Sequence, residues 1–193
     1  MSKIYIIRHA ETQLVPNISS VDWELSNGAT ESVKHMLRDI TFDDIRCIYH
    51  SPLIKAEATA KIISEIYGFE IRANECLREV ERYFGFVSEE TFRRRVNNYL
   101  SGFDSNHFER YDSAKERIIT CIKNLVKESG GESFMVVSHG MILTILYSYL
   151  VGFTPAFVNW QKLKMPDLSI IDIEKEIIER GFYSGNSVVG QIV

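Results

Sequence analysis

The sequence predicts an α/β fold: a three-layer α/β/α sandwich with a mainly parallel central sheet and a small helical cap. Three observations lead there. Short runs of apolar, β-branched residues alternate with stretches of helical periodicity, an order that yields a parallel sheet covered on both faces. The alternation loosens only over 73–112, where aromatics and charges mix, so this stretch reads as a cap inserted into one domain spanning 1–193. The chain has 193 residues, enough to bury a core without metal or disulfide staples.

Each element follows from local pattern. Lys-Ile-Tyr-Ile-Ile at 3–7 is a buried strand. A helix follows over Gly28 to Arg38, with Val33, Met36 and Leu37 at helical spacing and Ser26 as its expected cap. Arg46 to Tyr49 is a second strand. Leu53 to Tyr67 is a helix with Ala56, Ala60, Ile63 and Tyr67 on one face, stopped by Gly68. Phe69 to Arg72 is a third strand, and Glu89 to Tyr99 a helical stretch within the cap. Ala114 to Lys127 is a long amphipathic helix striped by Ile118, Ile119, Ile122, Leu125 and Val126, broken at Ser129-Gly130-Gly131. Ser133 to Val137 is the clearest strand, followed by a helix from Met141 to Leu150. Leu168 to Phe182 reads as one or two edge strands.

Composition excludes several function classes. The net charge is −4, without the basic bias of a nucleic-acid binder. The longest apolar stretch, Met141 to Val151, is interrupted by Thr144, Tyr147, Ser148 and Tyr149 and is too short to span a membrane. The N-terminus shows no signal-peptide pattern. Cys47, Cys76 and Cys121 form no C-x-x-C pair, so reduced, mostly buried thiols and a cytoplasmic location are expected. The five histidines lack H-x-x-x-H spacing and cysteine partners, so no metal or other cofactor is expected.

The chemistry should sit beyond the carboxyl ends of the parallel strands. The first strand ends in Arg8-His9-Ala10-Glu11-Thr12. The second ends in His50-Ser51-Pro52-Leu53, with Lys55 on the next helical turn. The strand at 133–137 ends in Ser138-His139-Gly140. A histidine at a strand end is usually structural, but two of them with cations nearby suit a phosphoryl group. Arginine offers a planar fork to phosphate oxygens, helix N-termini add N–H donors, and a neutral imidazole can attack phosphorus.

Five segments carry a resemblance. Arg8-His9-Ala10-Glu11-Thr12 resembles the R-H-G-E-T opening of the histidine phosphatase (phosphoglycerate mutase-like) superfamily. Leu25-Ser26-x-Gly28 is similar to its L-T-x-x-G segment. His50-Ser51-Pro52-Leu53-Ile54-Lys55-Ala56-x-x-Thr59-Ala60 is similar to S-S-P-L-x-R-A-x-x-T-A. Leu77-Arg78-Glu79 resembles its L-x-E segment, and Val137-Ser138-His139-Gly140 its second-histidine segment. One such motif is weak; five in order over nearly the whole chain are specific.

The resemblance implies a metal-independent phosphomonoesterase, of histidine acid phosphatase type, acting on a small phosphorylated substrate through a phosphohistidine. His9 would be the phosphoryl acceptor, Arg8 and His139 phosphate ligands, with His139 also stabilising transferring charge. Glu79 would be the general acid. Glu81 competes for that role, because Glu81-Arg82-Tyr83-Phe84-Gly85 resembles the mutases' E-R-x-Y-G; Leu77 sets a register that favours Glu79. Departures from the pattern raise further candidates. Lys55 stands where a second arginine is usual, and loses its bidentate geometry. Ala10 replaces a glycine. Val15 replaces a polar asparagine, for which Asn17 is a substitute. His50 replaces a serine and either faces the pocket or packs. Gly140 follows the second histidine. The cap carries Arg78, Arg82, Arg93, Arg94 and Arg95, and the three-arginine run at 93–95 is read as a solvated helix face. The alternatives are phosphoryl transfer of the phosphoglycerate mutase type and a non-catalytic phospho-ligand binder.

Overall fold

The computed structural model describes residues 2–16, 18–42, 44–103 and 106–183. Six strands form one sheet: β1 (Lys3–Arg8), β2 (Ile45–His50), β3 (Ile71–Ala73), β4 (Ser133–Ser138), β5 (Asp167–Asp172) and β6 (Ile177–Arg180), in the order β3-β2-β4-β1-β5-β6. The β1–β4, β2–β4 and β2–β3 pairs are parallel, and the β1–β5 and β5–β6 pairs antiparallel. The helices are α1 (Ala29–Leu37), α2 (Ile54–Tyr67), α3 (Glu89–Leu100), α4 (Tyr111–Ser129), α5 (Gly140–Val151) and α6 (Phe157–Lys162).

The period-2 alternation of each strand builds two cores, one per sheet face. On β1, Tyr5 and Ile7 point to one face, where Val33 and Leu37 of α1 and Ala56, Ala60 and Ile63 of α2 cover them. Ile4 and Ile6 point to the other, packed with Ile118, Ile122 and Leu125 of α4 and with α5. Small residues on α2 let it lie close to the sheet. Helix α5 is buried almost all round (Gly140 to Ser148 without a break), which explains why its sequence carries no polar face. Leu77, Val80, Val96, Tyr99, Leu100 and Phe108 join the α4–α5 core, so the segment expected to be a cap shares the body's apolar interior.

Several expectations are corrected. Ser26 does not cap α1 with its side chain; Gly28 occupies the cap position, and the Ser26 carbonyl accepts the Ala29 N–H at 3.0 Å. β5 is not an edge strand: it lies between β1 and β6, almost wholly buried, so of this segment β6 alone lies at a sheet edge, β3 forming the other edge. Short helix α6 had no apolar periodicity long enough to reveal it. Of the three cysteines only Cys47 is a free buried thiol; Cys76 and Cys121 form a disulfide. The turn at Glu75–Leu77 lies against α4 and brings their Cα atoms to 5.7 Å across 45 residues of chain, a proximity that spacing alone does not carry. Helix stops follow their glycines: Gly68, Gly130 and Gly152 all adopt left-handed backbone.

One polar knot ties the segment after β3 to α4. The Arg117 guanidinium donates to the carbonyls of Cys76 (2.8 Å) and Arg78 (2.9 Å) and to the Glu109 carboxylate. Glu109 also accepts from Arg78 at 3.0 Å. Arg117→Leu should remove these donors and leave a buried carboxylate half-paired. We expect a stability loss on the order of 3 kcal/mol, read from urea unfolding. A loss below about 1 kcal/mol would show that the knot is dispensable.

Candidate active site

The parallel strands β1, β4 and β2 end on the same edge of the sheet, and their carboxyl ends converge. Arg8 pairs in register with Ser138, and the His9 N–H continues the ladder to the Ser138 carbonyl at 3.0 Å. That places the His9 and His139 rings with centroids 5.1 Å apart.

His9 is buried. Its Nδ1 lies 2.7 Å from the Ala10 carbonyl, which can only accept, so the ring proton sits on Nδ1 and the Nε2 lone pair is free. Burial first, then Lys55 and Arg8, push its pKa down to about 3, against the Ala10 bond that raises it. The imidazole is therefore neutral at physiological pH, as a nucleophile must be. The loop that carries it is braced on both sides. The Ala10 N–H donates to Thr59 Oγ1 at 3.0 Å, while Thr59 gives its own proton to the Lys55 carbonyl. Ser26 N–H bonds the Glu11 carbonyl at 2.8 Å, and Thr12 bridges to Leu25.

His139 is fully buried and its pKa is held well below the usual value, by burial and then by His9, Lys55, Arg8 and Arg117. Its Nε2 lies 2.7 Å from Ser51 Oγ. Ser51 Oγ also accepts the Leu53 N–H at 3.3 Å and can give its own proton to Nε2, an arrangement that puts the imidazole proton on Nδ1. That atom has no partner among the described residues and is a donor in waiting.

Three cations surround the pair. Arg8 is buried, donates to the Leu163 carbonyl and stands 5.8 Å from the Trp160 ring centroid; its Nε has no partner among the described residues. Lys55 is buried, with Nζ bonded to the Ser20 carbonyl at 2.7 Å. Burial is the main cause that lowers its pKa to about 8, opposed by Glu79 and reinforced by Arg82 and Arg8. Arg82 is half-buried, donates to Ser20 Oγ and lies over Phe92 at 5.4 Å. A two-strand contact, Tyr83 N–H to His107 carbonyl and Glu109 N–H to Glu81 carbonyl, positions it. Sequence reasoning missed Arg82 as an individual, grouping it with the cap arginines; its place beside Glu81 in a mutase-like E-R segment was the one signal. None of Arg8, Lys55 and Arg82 forms an ion pair with a carboxylate among the described residues. Arg78 and Arg93, by contrast, pair with Glu109 and Glu89.

Glu79 is half-buried and sits on the N-terminus of α5. Its carboxylate accepts from the N–H groups of Met141 (3.1 Å), Ile142 (2.9 Å) and Val80 (3.0 Å). The first N–H groups of α5 thus face a side chain of the protein and not a free anion. Glu81 is exposed and accepts from Tyr83 Oη at 3.4 Å. His50 is buried, with Nδ1–H bonded to the Ser51 carbonyl at 2.9 Å; Lys55 acts on the two catalytic-edge histidines, whereas the acid within reach of His50 is Glu57. Gly140 has to be glycine: a Cβ there would lie 2.6 Å from Trp160 Nε1 and 3.0 Å from the Arg8 guanidinium. Val15 contributes only its carbonyl, to Trp23 Nε1 at 3.2 Å. Asn17 lies outside the described residues. No group of three or more metal-binding side chains occurs among the described residues.

The sequence model of the histidine phosphatase superfamily (branch 1) matches residues 4–179. The chain belongs to this superfamily. Phosphoserine phosphatase 1 from Hydrogenobacter thermophilus is 22% identical over 79% of this chain and 77% of its own length. A probable phosphoglycerate mutase from Yersinia enterocolitica is 25% identical over 91% and 86%. The fold is shared with Bacillus stearothermophilus YhfR, with TM-score 0.74, 19% identity and coverage of 98% and 95%. It is shared too with a phosphoserine phosphatase from Entamoeba histolytica in complex with 3-phosphoglyceric acid, with TM-score 0.71, 21% identity and coverage of 98% and 95%. The chain is thus an enzyme of the histidine phosphatase superfamily, with phosphatases and mutases among its relatives. No helix among the described residues is long and apolar enough to cross a membrane.

The low pKa of Lys55 sets a pH dependence. Below about pH 8 its head is an ammonium, able to attract an anion; above it the head is neutral. We expect kcat/KM to fall on the alkaline side with a limb near pH 8, since kcat/KM reports the free enzyme. In Lys55→Arg this limb should move up, beyond the working range, because guanidinium stays charged. An unmoved limb would assign it to another group.

Proposed function

We propose that the protein is a phosphomonoester hydrolase that acts through a phosphohistidine at His9, independently of metal. One observation carries this reading: a neutral, buried His9 with its proton on Nδ1, set among cations that have no ion-paired carboxylate among the described residues. A dianionic phosphoryl group is the complement of that arrangement.

The geometry supports each step. Nε2 of His9 attacks phosphorus, and the Nδ1–H to Ala10 carbonyl bond stabilises the positive ring that results. Arg8, Lys55 and Nδ1–H of His139 hold the phosphoryl oxygens as charge spreads over them. Glu79 is the group placed to give a proton to the leaving alkoxide as the ester P–O bond breaks. The carboxylate then takes a proton from water, whose oxygen attacks phosphorus and breaks the P–N bond, releasing phosphate and restoring Glu79. The placement of Glu79 beside the His139-Gly140 turn supports it for this role over exposed Glu81. The 73–112 segment serves as the cap that brings Glu79 and its neighbours over the strand ends. The similarity to a probable mutase leaves one competing fate for the phosphohistidine, return of the phosphoryl group to an alcohol acceptor in place of water.

Wild-type protein mixed briefly with radiolabelled phosphate ester and quenched in alkali should carry acid-labile, alkali-stable phosphate on His9. His9→Ala should carry none and lose turnover while keeping its circular dichroism. Label on another residue, or turnover that needs an added divalent ion after chelation, would refute the mechanism. Label discharged to glycerol and not to water would instead make the enzyme a transferase.

Glu79→Gln should slow alkyl phosphates by roughly 10² to 10⁴ but p-nitrophenyl phosphate far less, since nitrophenolate leaves without a proton. Glu81→Gln should discriminate little between the two substrates. Reversed behaviour of the two variants would move the acid to Glu81.

A further inference from the structure

Arg8 is a buried cation at the end of β1, and its support comes from one short segment. It points to the same sheet face as Ile4 and Ile6, toward α5. Its Nη1 donates to the Leu163 carbonyl, and its guanidinium stands 5.8 Å from the Trp160 ring centroid. Asp167 of β5 lies opposite Arg8 in the ladder, but its carboxylate accepts the N–H groups of Lys164 at 2.9 Å and Leu168 at 3.0 Å. The first of these bonds draws the chain after α6 back toward the strand end. Leu163 is buried in the α4–α5 core, which anchors the same segment. Residues 160–163 thus form the seat of Arg8.

Trp160 is held in that seat from several directions. Its Nε1 and the Arg8 guanidinium converge on Gly140, where a Cβ would meet them at 2.6 and 3.0 Å. Its ring packs edge-to-face with Phe92 of α3, centroids 5.8 Å apart, and is tilted against Phe157 of its own helix at 5.3 Å. Asn159 Oδ1 accepts the Ala156 N–H at 3.0 Å and closes the first turn of α6. The indole is therefore fixed by α3, α5 and α6, and it meets a guanidinium that has no ion-paired carboxylate among the described residues. A guanidinium held by one hydrogen bond can still turn about that bond. A ring at its flank removes that freedom and attracts the cation through its π face.

We propose that Trp160 is a positioning residue: together with the Leu163 carbonyl it fixes the plane of the Arg8 guanidinium, so that the fork is oriented before a phosphoryl group arrives. Trp160 acts through Arg8 and not on the phosphoryl group itself. The proposal rests on the phosphatase reading for Arg8 as a phosphate ligand, but its binding half is testable without turnover. The Kd of inorganic phosphate is measured by calorimetry, and kcat and KM with p-nitrophenyl phosphate. The proteins are the parent, Trp160→Leu, Trp160→Phe, Arg8→Lys and the double variant Trp160→Leu with Arg8→Lys.

Trp160→Leu should weaken phosphate binding and lower kcat/KM by roughly three- to thirtyfold, the range of one cation–π contact with a desolvated guanidinium. Part of the loss should fall on kcat, because a misaligned fork also fails the charge that spreads during transfer. Trp160→Phe keeps an aromatic face and should recover most of it. In the Arg8→Lys background the loss from Trp160→Leu should shrink to about twofold or less, since an ammonium has no plane to align. An equal loss in both backgrounds, or parent-like phosphate affinity and kcat/KM in Trp160→Leu, overturns the proposal. Fluorine NMR of protein carrying 5-fluorotryptophan guards against a Trp160→Leu protein that does not fold. The chain has two tryptophans, and the Trp160 resonance is the one that Trp160→Phe removes. It should move in Arg8→Lys without any ligand, and a resonance that stays in place overturns the proposal. Phosphate binding that depends on Trp160 through Arg8, in a protein that hydrolyses no ester, would refute the phosphatase reading and leave the positioning role standing.

Discussion

The parallel pairing of β1 with β4, with Arg8 opposite Ser138, is the constraint on which the site depends. The ladder runs one bond beyond the strand, from His9 N–H to the Ser138 carbonyl at 3.0 Å. A slip of one residue would turn both histidines to opposite faces. Buried residues on both sides of β1 and β4 prevent that slip: Ile4, Ile6, Phe134 and Val136 face α4 and α5, while Tyr5, Ile7, Met135 and Val137 face α1 and α2. The apolar core thus holds the register that sets the 5.1 Å separation of the two rings.

Given that edge, the fold must tolerate concentrated positive charge. Desolvation lowers the pKa of Arg8, Lys55 and Arg82 alike, the signature of cations buried without full compensation. What offsets this is mostly neutral: the Leu163 and Ser20 carbonyls, the Ser20 hydroxyl and the faces of Trp160 and Phe92. A carboxylate in direct contact would stabilise the empty protein better but would compete with any anionic ligand. Glu79, the nearby acid, is instead bonded to three backbone N–H groups.

Several residues of the recurrent motifs act one step away from the chemistry. Thr59 joins the His9 loop to α2 through Ala10 and Lys55. Ser51 holds Nε2 of His139 at 2.7 Å. Gly140 allows Arg8 and Trp160 to approach the first turn of α5. The spacing of such motifs records bracing as much as catalysis, which is why short segments scattered along a chain can specify one site.

The sequence by itself determined the sheet strands, the main helices and the three strand-end segments carrying His9, Lys55 and His139, because each is written in local periodicity or in a contiguous motif. It also determined the superfamily, through motif order. The tertiary structure decided what depends on contacts between distant segments. It separated Glu79 from Glu81, two residues apart yet one bonded to α5 and the other in solvent. It distinguished Arg82, bonded to Ser20, from Arg78 and Arg93, which are paired with carboxylates. It buried His50 with Nδ1 against the Ser51 carbonyl, placed β5 inside the sheet and paired Cys76 with Cys121. Such features follow from how a segment lands on elements tens of residues away, and a single chain's local pattern holds no record of that landing.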